Sequence, residues 1–133
     1  MPKTIATILG IGFLLVGIVG FIAPDIMGMH LNPAHNLIHL LSGVLALYFG
    51  VAGTYSAARA FCITFGLVYA GLGVLGFLVG NPGPERILTV IPDKLILGRM
   101  DHIVHIVLGA LFILGGLAPA PATMARSEDP SLE

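Results

Sequence analysis

Four long apolar segments constrain the fold of this chain more than any other feature. None of them contains an Asp, Glu, Lys or Arg, and they cover Ile5–Ile22, Leu37–Gly53, Ala60–Gly80 and Ile103–Leu117. A helix needs about 20 apolar residues to cross the ~30 Å hydrocarbon core of a bilayer. Soluble domains carry about 25% charged residues, whereas only 10% of this chain is charged. We therefore predict an all-α transmembrane four-helix bundle whose fourth helix begins near Asp101.

The two halves of the chain resemble each other. Gly17-Ile-Val-Gly20-Phe21 recurs as Gly73-Val-Leu-Gly76-Phe77, and Pro24-Asp25 recurs as Pro92-Asp93. Each half supplies two spans, so both halves enter the membrane from the same side. We therefore predict two helical hairpins that form a parallel repeat, related by a pseudo-twofold axis along the membrane normal.

These segments predict one domain followed by a tail. The transmembrane domain covers residues 1–118, its repeat halves cover 1–56 and 57–118, and a Pro/Ala-rich to acidic tail covers 119–133. The connection between the third and fourth spans is longer than its counterpart in the first half. Its segment Glu85–Leu97 mixes apolar and charged residues, which is typical of a segment that lies in the membrane interface.

Two histidine-bearing motifs open the second and fourth apolar segments. They read His35-Asn-Leu-Ile-His39-Leu-Leu-Ser-Gly43 and Asp101-His102-Ile-Val-His105-Ile-Val-Leu-Gly109. In each motif a histidine follows another ligand-type residue by four positions, which places both on one helix face. The parallel repeat brings both motifs to the same face of the membrane. Since polar groups at membrane depth usually turn inward, we expect His39 and His105, the deepest of the set, to face the bundle.

A metal ion is one possible occupant of this face. The positive end of a helix dipole disfavours imidazolium, and neutral imidazole is the form that binds a metal. Thioethers beside imidazole would suit copper(I), whereas imidazole with a carboxylate would suit zinc. The candidate metal ligands are His35, His39, Asp101, His102 and His105, and the neighbouring thioethers belong to Met27, Met29 and Met100.

Other interpretations of the same residues stay open. His39 and His105 come from two spans and could hold a haem or a chlorophyll-type ring between helices. A structural interpretation also fits, because interfacial histidines can hydrogen-bond across helices and Asp101 can cap a helix. A proton or small-solute pathway along the cluster is a third interpretation.

Several function classes lack support in the sequence. No Ser-His-Asp set, phosphate loop, HExxH or CxxC motif is present, so we predict that the chain is not an enzyme. Its net charge is −1 and it has no basic cluster, which disfavours nucleic acid as a partner. Cys62 is the single cysteine, so no intrachain disulfide can form.

The histidine motifs, together with the Gly73–Phe77 segment, resemble a bacterial family of small four-span membrane proteins defined only as a domain of unknown function. The similarity covers roughly residues 3 to 117. It implies the four-span topology and a bacterial plasma membrane or internal photosynthetic membrane. No activity is known for the family, so the resemblance transfers no catalytic residue.

Together these observations favour a non-catalytic role in the lipid bilayer. We predict an accessory or structural subunit of a larger respiratory or photosynthetic membrane complex, or a homo-oligomer. The alternative is a metal- or tetrapyrrole-binding membrane protein that uses the histidine cluster.

Overall fold

The structure is a computed structural model that describes residues 1–120. This part of the chain contains four helices that are long and apolar enough to cross a membrane, and they pack against one another. The predicted all-α transmembrane four-helix bundle is therefore confirmed. The helices are α1 (Pro2–Val19), α2 (Pro33–Leu47, continued by a π-helical segment, Tyr48–Ala52), α3 (Tyr55–Val79) and α4 (Arg99–Leu117), with a 3₁₀ turn at Ile26–Gly28 and two short strands, β1 (Leu88–Ile91) and β2 (Leu95–Leu97).

Helices α2 and α3 begin at side-chain caps. The Asn32 side chain accepts a hydrogen bond of 3.0 Å from the backbone N–H of His35, and Pro33 occupies the first turn of α2. The hydroxyl of Thr54 accepts from the backbone N–H of Ala57 at 3.2 Å. Such caps provide hydrogen-bond acceptors for backbone N–H groups that have no partner in the first turn of a helix. A proline in this turn has no N–H and so leaves one donor fewer to satisfy. The Asn-Pro pair that opens α2 thus fixes the start of the helix that carries His35.

Each hairpin is held together by a close approach of two glycines. A Cβ added at Gly10 would lie 3.1 Å from the carbonyl oxygen of Gly43, and one added at Gly43 would lie 3.0 Å from that of Gly10. Gly66 and Gly109 show the same reciprocal contact, at 2.8 and 2.7 Å. Small residues let helix backbones approach closely in lipid, where hydrophobic sorting between helices is absent. The α1–α2 and α3–α4 pairs therefore pack through equivalent positions.

The bundle core is aromatic. Phe13 of α1 lies with its ring centroid 5.1 Å from that of Tyr69 on α3 and 6.1 Å from that of Phe112 on α4. The outward faces of the helices carry exposed Leu, Ile and Val instead. An apolar exterior around a small aromatic core is what a bundle surrounded by lipid requires.

The segment Glu85–Leu97, expected only to lie in the interface, contains an antiparallel strand pair. Leu88 pairs with Leu97 in the register of β1 and β2, and Asp93 takes a positive φ of 58° at the turn. Leu97 is buried, whereas β1 is mostly exposed. The strands are too short for a period-two pattern to stand out in the sequence. Strand β2 contacts α2, and its Leu95 and Leu97 are buried.

The predicted tail over residues 119–133 lies almost entirely outside the described residues. The division into repeat halves at residues 1–56 and 57–118 stays a prediction, to which the matched glycine contacts lend support.

Candidate functional site

Three histidines from α2 and α4 meet at one end of the bundle. The ring centroids of His35 and His39 are 4.5 Å apart, and those of His35 and His105 are 5.8 Å apart. Each of the three side chains is at most 4% exposed. Burial of three imidazoles in one place is costly unless their polar atoms find partners. This arrangement is called the histidine triad below.

Asp101 lies beside the histidine triad, and its carboxylate binds backbone groups. It accepts a hydrogen bond of 2.7 Å from the backbone N–H of Gly98, the residue before α4. It accepts another of 3.1 Å from the backbone N–H of His30 in the α1–α2 connection. The His30 ring is half-exposed and lies 3.4 Å from the same carboxylate. The predicted capping role of Asp101 accounts for its bond to Gly98, whereas its bond to His30 joins α4 to the α1–α2 connection and so ties the two hairpins together.

His102 lies apart from the histidine triad. Its Nε2 donates to the carbonyl of Arg86 at 2.8 Å, and its ring stands edge-on to Phe77 at 5.5 Å. The ring also packs on Gly76 of α3. Asn36 holds the position in the first histidine motif that aligns with His102 in the second, and the amide of Asn36 donates to the carbonyl of Leu31 at 3.0 Å. Both residues hydrogen-bond the backbone inside their own hairpin.

The predicted metal ligands therefore do not converge as a set of five. Within residues 1–120, no group of three or more His, Cys, Asp or Glu side chains is arranged to hold a metal ion. The two residues predicted to bind a cofactor, His39 and His105, do line one cavity from two helices. The site that the structure assembles is thus a histidine-lined cavity.

The histidine triad leaves buried nitrogens without partners. The carbonyl of His30 lies 2.9 Å from Nδ1 of His35, and since a carbonyl only accepts, Nδ1 carries a hydrogen. In the described part of the chain, Nε2 of His35 and Nδ1 of both His39 and His105 have no hydrogen-bond partner. An unsatisfied buried polar atom costs about 1–3 kcal/mol. Three of the six buried side-chain atoms that lack a partner within residues 1–120 thus belong to the histidine triad; the others are Nδ1 of His30, Nδ1 of His102 and Oδ1 of Asn36.

A cavity of about 270 Å³ adjoins these nitrogens between α1, α2 and α4. Its lining includes the histidine triad and Asp101, together with the buried Met29 and the exposed Met27. Its outer end reaches the surface of the bundle at the α1–α4 seam, where Gly12 is exposed. We call this space the α1–α4 cavity.

A second cavity of about 260 Å³ lies between α2, α3 and α4, and His35 and His105 also line it. Its polar feature is a hydrogen bond of 2.9 Å between the hydroxyls of Ser42 and Tyr69. Sequence reasoning missed this pair. Two signals in the sequence mark these residues. Ser42 directly precedes the glycine that ends the first histidine motif, and Tyr69 occupies the position in the second half that aligns with Phe13 in the first.

Residues 3–118 match the family model described as a domain of unknown function, DUF4383. No curated protein and no solved structure matches the chain. The family match covers almost all of the described residues.

Proposed function

The chain belongs to the DUF4383 family, whose description assigns no function, and we propose that it is a non-catalytic membrane protein that binds a small ligand in the α1–α4 cavity. The histidine triad forms the polar end of this site, and lipid-facing residues form its apolar end. Of the two roles that the sequence predicts, the geometry supports ligand binding better than the accessory role.

The observation that carries this proposal is the set of unpartnered nitrogens on the histidine triad. Hydrogen bonds from a ligand would remove a cost of about 1–3 kcal/mol for each buried atom that they satisfy. The rest of the cavity wall is apolar and includes the half-buried Leu9, Val16 and Leu108. An apolar pocket with a few convergent polar groups is the usual form of a small-molecule site.

The shape of the cavity favours an organic ligand over a bare metal ion. Metal coordination requires donor atoms that converge to about 2 Å from one point, and within residues 1–120 no group of three or more His, Cys, Asp or Glu side chains is arranged in this way. A tetrapyrrole held by His39 and His105, or copper(I) held with the thioethers of Met27 and Met29, is a competing occupant. The experiment that follows distinguishes these occupants.

Two glycine substitutions test the site with a matched control. No atom of a neighbouring element within the described chain lies within 4 Å of a Cβ added at Gly12 or at Gly71. Gly12 lines the α1–α4 cavity, whereas Gly71 of α3 lines neither cavity. The Cβ of a leucine therefore meets no neighbouring element at either position, but only at Gly12 does the new side chain start from the wall of the cavity.

The proteins are purified gently from their native membranes. Each preparation is measured by absorption spectrum, metal content and mass spectrometry of its organic extract. We expect a near-stoichiometric organic molecule in the wild type and in Gly71→Leu that is lost in Gly12→Leu. A Soret band or a stoichiometric metal would instead identify a tetrapyrrole or metal site. Equal extracts from all three proteins would contradict binding in this cavity.

The accessory role is the second candidate. It is favoured by the outward faces of the helices, whose large apolar side chains a neighbouring membrane helix could cover as well as lipid does. The partner would be a respiratory or photosynthetic complex in a bacterial membrane, or further copies of this chain. Native gels of solubilised membranes should then show the protein far above its own mass of 13.9 kDa. Migration as a free monomer would contradict this candidate.

A further inference from the structure

We propose that the ligand of the α1–α4 cavity is a lipid-soluble phenol or quinol, whose hydroxyl donates a hydrogen bond to Nε2 of His35. This inference rests on the proposed function and specifies the chemistry of the ligand. It follows from the hydrogen-bonding state of one buried ring, the shape of the cavity wall and the position of its opening.

The state of His35 fixes what the ligand must offer. Nδ1 of this ring donates to the carbonyl of His30, so in the neutral ring Nε2 bears a lone pair and can only accept. The missing partner of Nε2 is therefore a donor.

The described chain does not supply that donor. The nearest polar rings are those of His39 and His105, and Nδ1 of each is itself buried without a partner. The carboxylate of Asp101 can only accept when it is ionised, and it is occupied by backbone N–H groups. An O–H group on the ligand would satisfy Nε2 directly.

The wall of the cavity suits a flat ring. Phe13 lies with its ring centroid 5.5 Å from that of His39, and the rings of His39 and His35 stack at 4.5 Å. All three of these residues line the α1–α4 cavity. Aromatic groups pack on one another in offset or edge-to-face arrangements worth about 0.5–1.5 kcal/mol. A phenolic ring therefore gains contact here that an aliphatic alcohol would not.

The opening of the cavity suits a membrane-soluble molecule. The polar end lies at the first turns of α2 and α4, beside the half-exposed ring of His30. The apolar end opens between α1 and α4, where Gly12 and Ile8 are exposed. An amphipathic quinol would place its head at the histidines near the membrane boundary and its tail in lipid.

The experiment compares three probes of one ring size. Tetramethylhydroquinone carries two hydroxyl donors, its dimethyl ether carries none, and the corresponding quinone has only acceptors. Each is titrated by calorimetry, without oxygen, into wild-type protein in nanodiscs, with empty nanodiscs as the blank. We expect the hydroquinone to bind at least about tenfold more tightly than both others, since one hydrogen bond to a buried acceptor contributes about that factor.

The cavity variants show where the probe binds. Gly12→Leu should abolish the preference for the hydroquinone, and Gly71→Leu should keep it. Equal binding of the hydroquinone and the quinone would overturn the donor assignment, while a co-purified ligand lost in Gly12→Leu would still uphold the proposed function. A preference that survives in Gly12→Leu places the probe elsewhere and overturns the inference. If none of the probes binds above the blank, the phenol class is wrong.

Discussion

Replacement of Gly76 by alanine should destabilise the α3–α4 hairpin strongly. A Cβ at this position would lie closer than 3 Å to the ring of His102, whereas ordinary contact begins at 3.4 Å. The ring has little room to retreat, because its Nε2 donates to the carbonyl of Arg86 at 2.8 Å and it meets the ring of Phe77 in an edge-on contact. Any shift that relieves the clash therefore weakens a buried hydrogen bond as well.

Two contributions set the size of the effect. Overpacking of a close contact costs about 1–3 kcal/mol, and loss of a buried hydrogen bond costs about 1 kcal/mol more. The Gly76→Ala protein should thus lose about 2–4 kcal/mol of unfolding free energy. Gly71→Ala is the control, since a Cβ there meets no atom of another described element within 4 Å.

The assay is an SDS titration of the protein in mixed micelles, followed by far-UV circular dichroism. The midpoint for Gly76→Ala should fall clearly below that of the wild type, while Gly71→Ala should match or slightly exceed it, because alanine favours a helix over glycine. Gly20 packs in the same way against Asn36 in the other hairpin, so Gly20→Ala should show a similar loss. If Gly76→Ala were as stable as Gly71→Ala, the close packing of His102 on α3 would be refuted.

Three further predictions follow from contacts in the site. Asp101→Asn should lower the unfolding free energy by about 1–3 kcal/mol in the same titration, because one amide oxygen replaces a carboxylate that caps α4 and binds His30; an unchanged midpoint would contradict this. Tyr69→Phe should lower the unfolding free energy by about 1–3 kcal/mol, because it leaves the Ser42 hydroxyl without its partner. Adding Ser42→Ala to this variant should recover part of the loss, so a double variant that loses the sum of the two single losses would speak against the bond. In a chain whose native cysteine is replaced, Asp25→Cys and Asp93→Cys should react with a membrane-impermeant maleimide from the same side, whereas labelling from opposite sides would rule out parallel hairpins.

Much of the fold was predictable from local patterns in the sequence. Charged residues are excluded from the four apolar segments because lipid penalises them, so the spans were visible directly. Asn32-Pro33 marked the start of α2 because the cap and the proline act locally. The strand pair was not predictable, since β1 and β2 are short and their pairing depends on a turn at Asp93 with positive φ.

The site was predictable only in part. Spacing placed His35 with His39 and Asp101 with His105, because four residues make about one helical turn. The prediction grouped His102 with these residues although His102 directly follows Asp101. One residue along a helix rotates the side chain by about 100°, so the ring of His102 turns toward α3 instead. The cavities could not be foreseen, since their volumes depend on how three helices pack at once.

The most direct test of a ligand at the histidine triad is a crystal structure grown in lipidic cubic phase from protein purified out of its native membrane. The account predicts continuous non-protein density in the α1–α4 cavity, within hydrogen-bond distance of Nε2 of His35 and extending past Gly12 toward lipid. Histidine rings rotated into hydrogen bonds with one another, or bridged only by ordered water, would contradict it.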